Sequence, residues 1–292
     1  MVTSTERRAK ARRVPRAESY ADLRARGLGR RGIRRALEHG LLVRARRDVY
    51  LSGGESTAVQ QAGRIGGRLD CISAMVERGV FVRCAGHLHI QVPANGGRLG
   101  SPDERRRPLA SDGAVVVHWR DDGADAAAML SDPVAGLAQA VRCQSPRDAV
   151  ATIDSALFLG VVDECDLDAV FALLPDRYAV LRPLVDGRAE SGPETLARLA
   201  LRVLGRPVDV QVRISGVGRV DLVVDGWIVV ECDSREFHTR WEAQVEDRRR
   251  DLALARCGYA CVRVTARMLF DEPWRLVEAV RGLLECGALR QG

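Results

Sequence analysis

Residues 219–233 read Arg-Val-Asp-Leu-Val-Val-Asp-Gly-Trp-Ile-Val-Val-Glu-Cys-Asp. Two short runs rich in β-branched residues flank an Asp-Gly pair, which is typical of a β-hairpin. Successive side chains of a strand point to opposite faces, so Glu231 and Asp233 share one face. In the first run, Asp221 points to the face opposite its apolar neighbours. The stretch therefore predicts an acidic hairpin at the centre of a β-sheet domain.

The register of this hairpin decides whether its acids meet. A two-residue turn at Asp225-Gly226 would pair position 221 with 230 and place Asp221 and Glu231 on opposite faces. A three-residue loop with Gly226 in the left-handed region, or a β-bulge, pairs Asp221 with residue 231 or 229 instead. We predict one of these two arrangements, because either brings the carboxylates together.

Three converging carboxylates repel one another unless a cation neutralises them. Oxygen ligands with open positions suit Mg²⁺ or Mn²⁺, which would bind Asp221, Glu231 and Asp233 and take phosphate oxygens as further ligands. Such an ion lowers the pKa of a bound water and polarises a phosphodiester. Spacing alone leaves an alternative open, namely an acidic hairpin edge without a metal.

The region from Ser191 onward predicts the element order α-β-β-β-α-β-α. Ser191 with Glu194 three residues later is a capping box, which predicts the start of the first helix. The later elements are expected over Val208–Ile214, Arg219–Asp225, Trp227–Asp233, about Trp241–Arg256, Tyr259–Thr265 and roughly Pro273–Cys286.

Four runs of this region together resemble the very-short-patch-repair-like endonuclease domain of the PD-(D/E)XK nuclease superfamily. The runs are Arg219–Val223, Val229–His238, Asp247–Leu252 and Gly258–Tyr259 with Val262–Thr265. The resemblance covers about a hundred residues in order. It implies an α/β restriction-endonuclease-like fold that hydrolyses DNA with Mg²⁺ or Mn²⁺.

The resemblance also implies roles for single residues. Asp221, Glu231 and Asp233 are the implied metal ligands, Glu194 is an auxiliary acid, and His238 is a candidate general acid or base. The superfamily's signature lysine is missing, because Asp233 stands two positions after Glu231 and the only lysine in the chain is at position 10. Two interpretations remain: His238 or a metal-bound hydroxide serves as the base, or the domain is catalytically weak. The resemblance favours activity.

Arginines surround this region in sequence. On the helix expected over Trp241–Arg256, three successive residues fan across about 200°, so Arg248, Arg249 and Arg250 cannot share a face. Arg248 and Arg250 are candidates for contacts with DNA phosphates, and Arg250 is also expected to pair with Asp247 or Asp251. A salt-bridged helix surface is the alternative for each.

The N-terminus carries a concentrated positive charge. Residues 1–50 hold 15 Lys and Arg against 5 Asp and Glu, whereas the whole chain has a net charge of only +6. A helix over Tyr20–Arg26 capped by Ser19, a Gly27-Leu28-Gly29 turn, a second helix over Arg30–His39 and two short strands predict a winged helix-turn-helix. The exposed arginines expected to contact DNA are Arg30, Arg31, Arg34 and Arg35 on the second helix and Arg46 and Arg47 in the wing. An arginine-rich solvated helix is the alternative.

This N-terminal stretch resembles the N-terminal domain of AbiEi-type antitoxins from type IV toxin–antitoxin systems. The resemblance rests on Gly27-Leu28, on Ile33–Leu37 and on Gly40–Tyr50. That family usually has glycine where Asp48 stands, and aspartate also tolerates a left-handed turn.

The middle segment predicts mixed α/β structure without chemistry of its own. Strands are expected over Phe81–Pro93 and Ala114–Trp119, with helices from Asp132 to Leu174. His87 and His89 share one strand face, yet no cysteine or acidic partner is near them in sequence, so an ordinary half-buried strand is preferred. None of the eight cysteines forms a Cys-x-x-Cys pair, which favours reduced thiols in core positions over a structural zinc.

These patterns predict three domains, at 1–54, 55–186 and 187–292. The absence of a long apolar run or a signal segment predicts a cytoplasmic protein without a membrane partner. The preferred function is a Mg²⁺-dependent DNA endonuclease with a DNA-binding N-terminal domain, in DNA repair, phage defence or a toxin–antitoxin context. The alternative is a DNA-binding regulator, antitoxin-like, whose nuclease fold is inactive. The sequence does not predict the oligomeric state.

Overall fold

The computed structural model describes residues 11, 13–104, 107–110, 113–121, 123, 125–233 and 241–289, with backbone alone at 241–244 and 288–289. It is mixed α/β, with three small sheets among these residues. The chain forms two compact units. The first comprises Met1–Ser145 and Leu159–Ala179, and the second comprises Pro146–Phe158 and Val180–Gly292.

The regular elements follow in chain order. The helices are α1 Tyr20–Ala25, α2 Arg30–Glu38, α3 Thr57–Ile65, α4 Cys71–Glu77, α5 Pro133–Arg142, α6 Pro146–Phe158, α7 Leu167–Ala172, α8 Gly192–Leu201, α9 Trp241–Arg256, α10 Ala266–Asp271 and α11 Pro273–Leu289. The strands are β1 Leu42–Arg46, β2 Val49–Ser52, β3 Arg68–Leu69, β4 Leu88–Val92, β5 Val115–Trp119, β6 Val208–Ile214, β7 Gly218–Val224, β8 Ile228–Asp233 and β9 Ala260–Thr265. Short 3₁₀ turns cover Glu164–Asp166, Asp176–Leu184 and Arg202–Leu204.

The first unit begins with two helices and an antiparallel hairpin, as the sequence predicts. The Ser19 hydroxyl accepts a hydrogen bond from Asp22 N, and the Asp22 carboxylate accepts one from Ser19 N, so the capping box of α1 is complete. Leu23 of α1, Ile33 of α2 and Tyr50 of β2 form a small buried core. Burial of these three side chains against one another holds the two helices and the hairpin as one body.

Asp48 lies in the hairpin turn between β1 and β2. Its φ is 58°, which is the left-handed conformation that aspartate tolerates better than most residues other than glycine. Its carboxylate oxygen Oδ1 accepts a hydrogen bond of 2.7 Å from Tyr20 N. The aspartate therefore ties the turn to the first residue of α1, which a glycine could not do.

The second sheet of this unit has the order β3-β4-β5, with β3 antiparallel and β5 parallel to β4. The expected strand over Phe81–Pro93 was too long, because β4 begins only at Leu88. That is the residue at which β5 supplies a pairing partner, Val115. A strand is stable only where its backbone groups are paired.

The expectation that His87 and His89 share one strand face was also wrong. His87 is exposed and lies before β4, whereas His89 is buried within it. Two cysteines that are distant in sequence, Cys71 and Cys143, lie beside His89 in the fold. The middle segment therefore contains a group of cysteine and histidine side chains that could hold a metal ion, and sequence spacing did not reveal it.

The second unit is built on a four-stranded sheet of order β6-β7-β8-β9. The first three strands are antiparallel, and β9 is parallel to β8 after a crossover through α9. The predicted order α-β-β-β-α-β-α is therefore observed, with one unpredicted short helix, α10, before the last. Helices α8, α10 and α11 cover one face of the sheet, and Leu254 of α9 packs on the other.

Helix α6 belongs to this second unit and not to the middle segment in which the sequence placed it. Its buried Asp154 accepts hydrogen bonds from Arg198 Nη2 at 2.8 Å and Thr195 Oγ1 at 2.8 Å, both on α8. It also accepts one of 2.7 Å from Asp186 N. A carboxylate removed from water requires such partners, so this cluster fixes α6 against α8. The domain borders expected at 54/55 and 186/187 do not coincide with the borders of these two units.

The longest helix among the described residues, α11, has 17 residues. No helix in the described part of the chain is long and apolar enough to span a bilayer.

Candidate functional site

The β7–β8 hairpin has the register that the acidic centre needs. Leu222 pairs with Val230 and Val224 with Ile228. The loop between them contains three residues, 225–227, and Gly226 has a φ of 76°. Continued by one pair, this register places Asp221 opposite Glu231. The prediction of a three-residue loop with a left-handed glycine is confirmed.

Strands β6 and β7 both change the face to which their side chains point, at Gln211 and Asp221. Val210 and Leu222 pack in the core under α8 and α11, whereas Val220, two residues from Leu222, packs in the opposite cluster with Leu254. Gln211 has a φ of 56°, an unusual conformation for a residue in a strand. Because of this change, side chains on the two sides of Asp221 do not follow the regular alternation of faces along β7. Sequence reasoning missed Gln211, because nothing in its position marks the distortion.

Glu194, Asp221 and Glu231 lie together at this end of the sheet. Glu194 and Glu231 are 5% and 9% exposed, and Asp221 is half-buried. Asp221 Oδ2 accepts a hydrogen bond of 2.8 Å from Cys232 N. Glu194 Oε2 accepts one of 2.8 Å from Gln211 Nε2. The three carboxylates come from α8, β7 and β8, so the sheet and its first helix position all of them.

The charges of these acids act on one another. Burial raises the pKa of Glu231 to about 7, and the charge of Asp221 and a hydrogen bond with it add to the rise, against the lowering effect of Arg250 and Arg263. Burial first, and the Asp221 charge second, also raise the pKa of Glu194. Acids perturbed in this way by burial and a like charge are typical of functional sites.

Arg250 contacts the acidic cluster directly. Its Nη2 atom donates to Glu231 Oε1 at 2.9 Å and also to the backbone oxygen of Arg219. The expected pairing of Arg250 with Asp247 or Asp251 is wrong, because Arg250 lies on the side of α9 that faces the sheet. Asp251 instead accepts two hydrogen bonds from Arg263 of β9, at 2.8 and 3.1 Å.

The other residues predicted for this site lie at its edge or outside the described chain. The Asp233 side chain is 51% exposed, and Arg263 Nη1 lies 4.0 Å from its Oδ1 atom. Arg248 is exposed and pairs with Asp251 at 3.4 Å. His238 lies outside the described residues, as do Arg235 and Arg240.

The donor type of the acidic cluster suits a hard divalent cation. Its donors are carboxylate oxygens, which Mg²⁺ prefers, and they come from Glu194, Asp221 and Glu231. The raised pKa of Glu231 shows that its negative charge is poorly compensated even with Arg250 in contact. A divalent cation among these oxygens would remove that repulsion.

The four arginines of α2 are exposed, at positions 30, 31, 34 and 35. Arg34 Nε lies 3.3 Å from the Glu38 carboxylate on the same helix. In the wing, Arg47 is exposed, whereas Arg46 is half-buried and its Nη1 donates to Ile65 O at 3.4 Å. The structure therefore presents five of the six predicted arginines to solvent and turns Arg46 towards the body of the protein.

The raised pKa of Glu231 makes stability depend on pH. Its pKa in the fold is about 7, above the ordinary value of 4.5, so the folded state is favoured by protonation. That stabilisation is complete below pH 4.5 and is lost as the pH rises through 7. In EDTA we expect the free energy of unfolding to fall by about 2–3 kcal/mol more in wild type than in Glu231→Gln between pH 5 and 8. Glu246→Gln, an exposed change on α9, serves as the control in urea denaturation. Parallel profiles for wild type and Glu231→Gln would contradict the burial of this acid.

No protein-family model matches the chain, and no curated protein matches it.

Proposed function

We propose that the chain is a Mg²⁺-dependent DNA endonuclease. Its nuclease domain would be the PD-(D/E)XK-type fold expected over residues 187–292, and its DNA-binding domain the winged helix expected over 1–54. The observation that carries the proposal is the convergence of Glu194, Asp221 and Glu231 at one end of the second unit's sheet. The resemblance to the repair-like endonucleases, stated above, implies Asp221 and Glu231 as metal ligands, together with Asp233, and Glu194 as an auxiliary acid.

Four residues of the chain would bind the metal ion and the DNA phosphate. Glu194, Asp221 and Glu231 would hold the ion, and Arg250, which lies at Glu231, would contact the phosphate that enters the site. When bound, Mg²⁺ lowers the pKa of water and polarises the scissile phosphodiester.

DNA binding would come from the exposed arginines of α2. A helix that follows a tight turn and carries four exposed guanidinium groups matches the second helix of a helix-turn-helix. Arg31 and Arg35 are four residues apart and therefore lie on one side of α2. Their guanidinium groups would contact DNA phosphates, which makes the binding dependent on salt.

The double change Arg31→Glu with Arg35→Glu tests this surface. We expect duplex affinity to fall at least about tenfold and the slope of log Kd against log salt to decrease by about two. The control is Arg202→Glu with Arg281→Glu, two exposed arginines of the second unit with the same change of charge. Fluorescence anisotropy at four salt concentrations measures both quantities. Equal losses for the two double variants would show that only net charge matters.

A second candidate is a DNA-binding regulator that does not cleave. Arg250 already neutralises part of the Glu231 charge at 2.9 Å, and Asp233 stands where the superfamily has its lysine. Both features favour a site that has lost its metal. In this candidate α2 would still bind DNA, and the acidic cluster would serve only the fold.

Cleavage assays separate the two candidates. Purified protein is incubated with supercoiled, linear and single-stranded DNA in Mg²⁺, Mn²⁺ or EDTA, beside Asp221→Asn. We expect nicking or linearisation in Mg²⁺ or Mn²⁺, none in EDTA, and loss of cleavage in the variant. Tight DNA binding without cleavage in either metal would contradict the proposed nuclease activity and favour the regulator.

A further inference from the structure

Four metal-binding side chains meet in the first unit, far in sequence from the acidic cluster. Cys71 is the first residue of α4, His89 lies in β4, His118 lies in β5, and Cys143 follows the last residue of α5. One ligand atom from each lies within 4.8 Å of all the others. They span 73 residues of chain, so only the fold brings them together.

The two strands explain why the histidines meet. In the parallel β4–β5 pair, His89 lies opposite Val116, and His118 lies opposite Gln91. Each histidine is therefore two residues from the other's partner, and both point to the same face of the sheet. Helices α4 and α5 bring the two cysteines to that face.

The distances suit a tetrahedral site. His89 Nδ1 and His118 Nε2 are 3.2 Å apart. Two nitrogens bound to one zinc ion at 2.0–2.1 Å in tetrahedral geometry would lie about 3.4 Å apart, and two thiolates somewhat farther. The spacing of the four ligand atoms therefore leaves room for one ion and requires only small shifts.

We propose that Cys71, His89, His118 and Cys143 form a structural Zn²⁺ site. Thiolate and imidazole ligands select zinc over Mg²⁺, and four protein ligands close a tetrahedral shell. Two thiolates and two neutral imidazoles balance the charge of one Zn²⁺, so the centre can be buried at small cost. The ion would tie β4 and β5 to α4 and α5, and it is independent of the proposed nuclease.

The surroundings of the cluster support a site of this kind. Cys71 is fully buried and has a φ of 53°, a costly conformation for a residue other than glycine and one that collects at functional sites. Gln139 Nε2 lies 3.5 Å from Cys143 Sγ, a contact that can orient the thiol from outside the shell.

Metal content and spectroscopy of the full chain test the site. Protein is purified in a reducing buffer without chelator, incubated with ZnSO₄ and desalted. We expect about one zinc per chain by mass spectrometry. Co²⁺ in place of zinc should give the strong visible bands of tetrahedral coordination and a thiolate charge-transfer band, which oxygen ligands cannot give. Chelation should lower the melting temperature.

Variants and controls make the outcome decisive. Cys143→Ser and His118→Gln should each weaken zinc binding at least about 100-fold and abolish the cobalt spectrum. Cys84→Ser and Cys286→Ser, at exposed cysteines outside the cluster, and Asp221→Asn should retain both. Two variants are used so that a misfolded one, recognised by circular dichroism, does not decide the result. A wild-type chain with neither zinc nor a cobalt spectrum, or with a Cys71–Cys143 disulfide in reducing buffer, overturns the proposal.

Discussion

Replacing Asp221 by asparagine is expected to lower metal-dependent DNA cleavage by at least about 100-fold. Asp221 raises the pKa of both Glu194 and Glu231, so its charge reaches the whole acidic cluster. Asparagine keeps the shape and can still accept the hydrogen bond from Cys232 N, but it removes one of the anionic ligands. The loss should appear in the single-turnover rate at saturating protein.

The matched control is Asp209→Asn, at an exposed aspartate of β6 in the same sheet. It should cleave like wild type, and both variants should bind duplex DNA like wild type. If Asp221→Asn retained full cleavage, the activity would have to come from another site or from a contaminant. Thermal unfolding of both variants shows whether either change has destabilised the fold.

Replacing Asp154 by alanine is expected to reduce the free energy of unfolding of the second unit by about 3–5 kcal/mol. Its carboxylate is fully buried between α6 and α8 and pairs with Arg198, whose side chain is 9% exposed. Removal of the carboxylate leaves a buried guanidinium without its partner, which costs more than the pair itself contributes. Urea denaturation followed by tryptophan fluorescence reports mainly this unit, since Trp227, Trp241 and Trp274 lie in it and only Trp119 lies in the first unit.

The double variant Asp154→Ala with Arg198→Met separates the unpaired charge from the lost contact. It should recover a substantial part of the stability that Asp154→Ala loses, because no charge remains buried. Asp209→Ala, at an exposed site, should change the stability by less than about 0.5 kcal/mol. A loss below about 1 kcal/mol for Asp154→Ala would contradict a buried ion pair that holds α6 on the second unit.

Local sequence patterns determined much of the second unit. Alternating β-branched residues predicted β6, β7 and β8. The requirement that Asp221 and Glu231 share a face predicted either a three-residue loop with a left-handed Gly226 or a β-bulge, and the structure has the loop. Side-chain caps at Ser19 and Ser191 fixed where two helices begin. The left-handed conformation at Asp48 was also expected, because aspartate tolerates it in a turn. Each of these depends on interactions within a few residues, which the sequence displays directly.

The tertiary structure alone decided which distant side chains meet. The distortion at Gln211, the contact of Arg250 with Glu231 and the burial of Asp154 against Arg198 depend on how helices pack on the sheet. The cluster of Cys71 with Cys143 depends on four separate elements. Local periodicity shows which face of a helix or strand is apolar. Which other element packs on that face is decided by packing over the whole domain. For this protein the sequence therefore determined the acidic hairpin, and the fold determined what surrounds it.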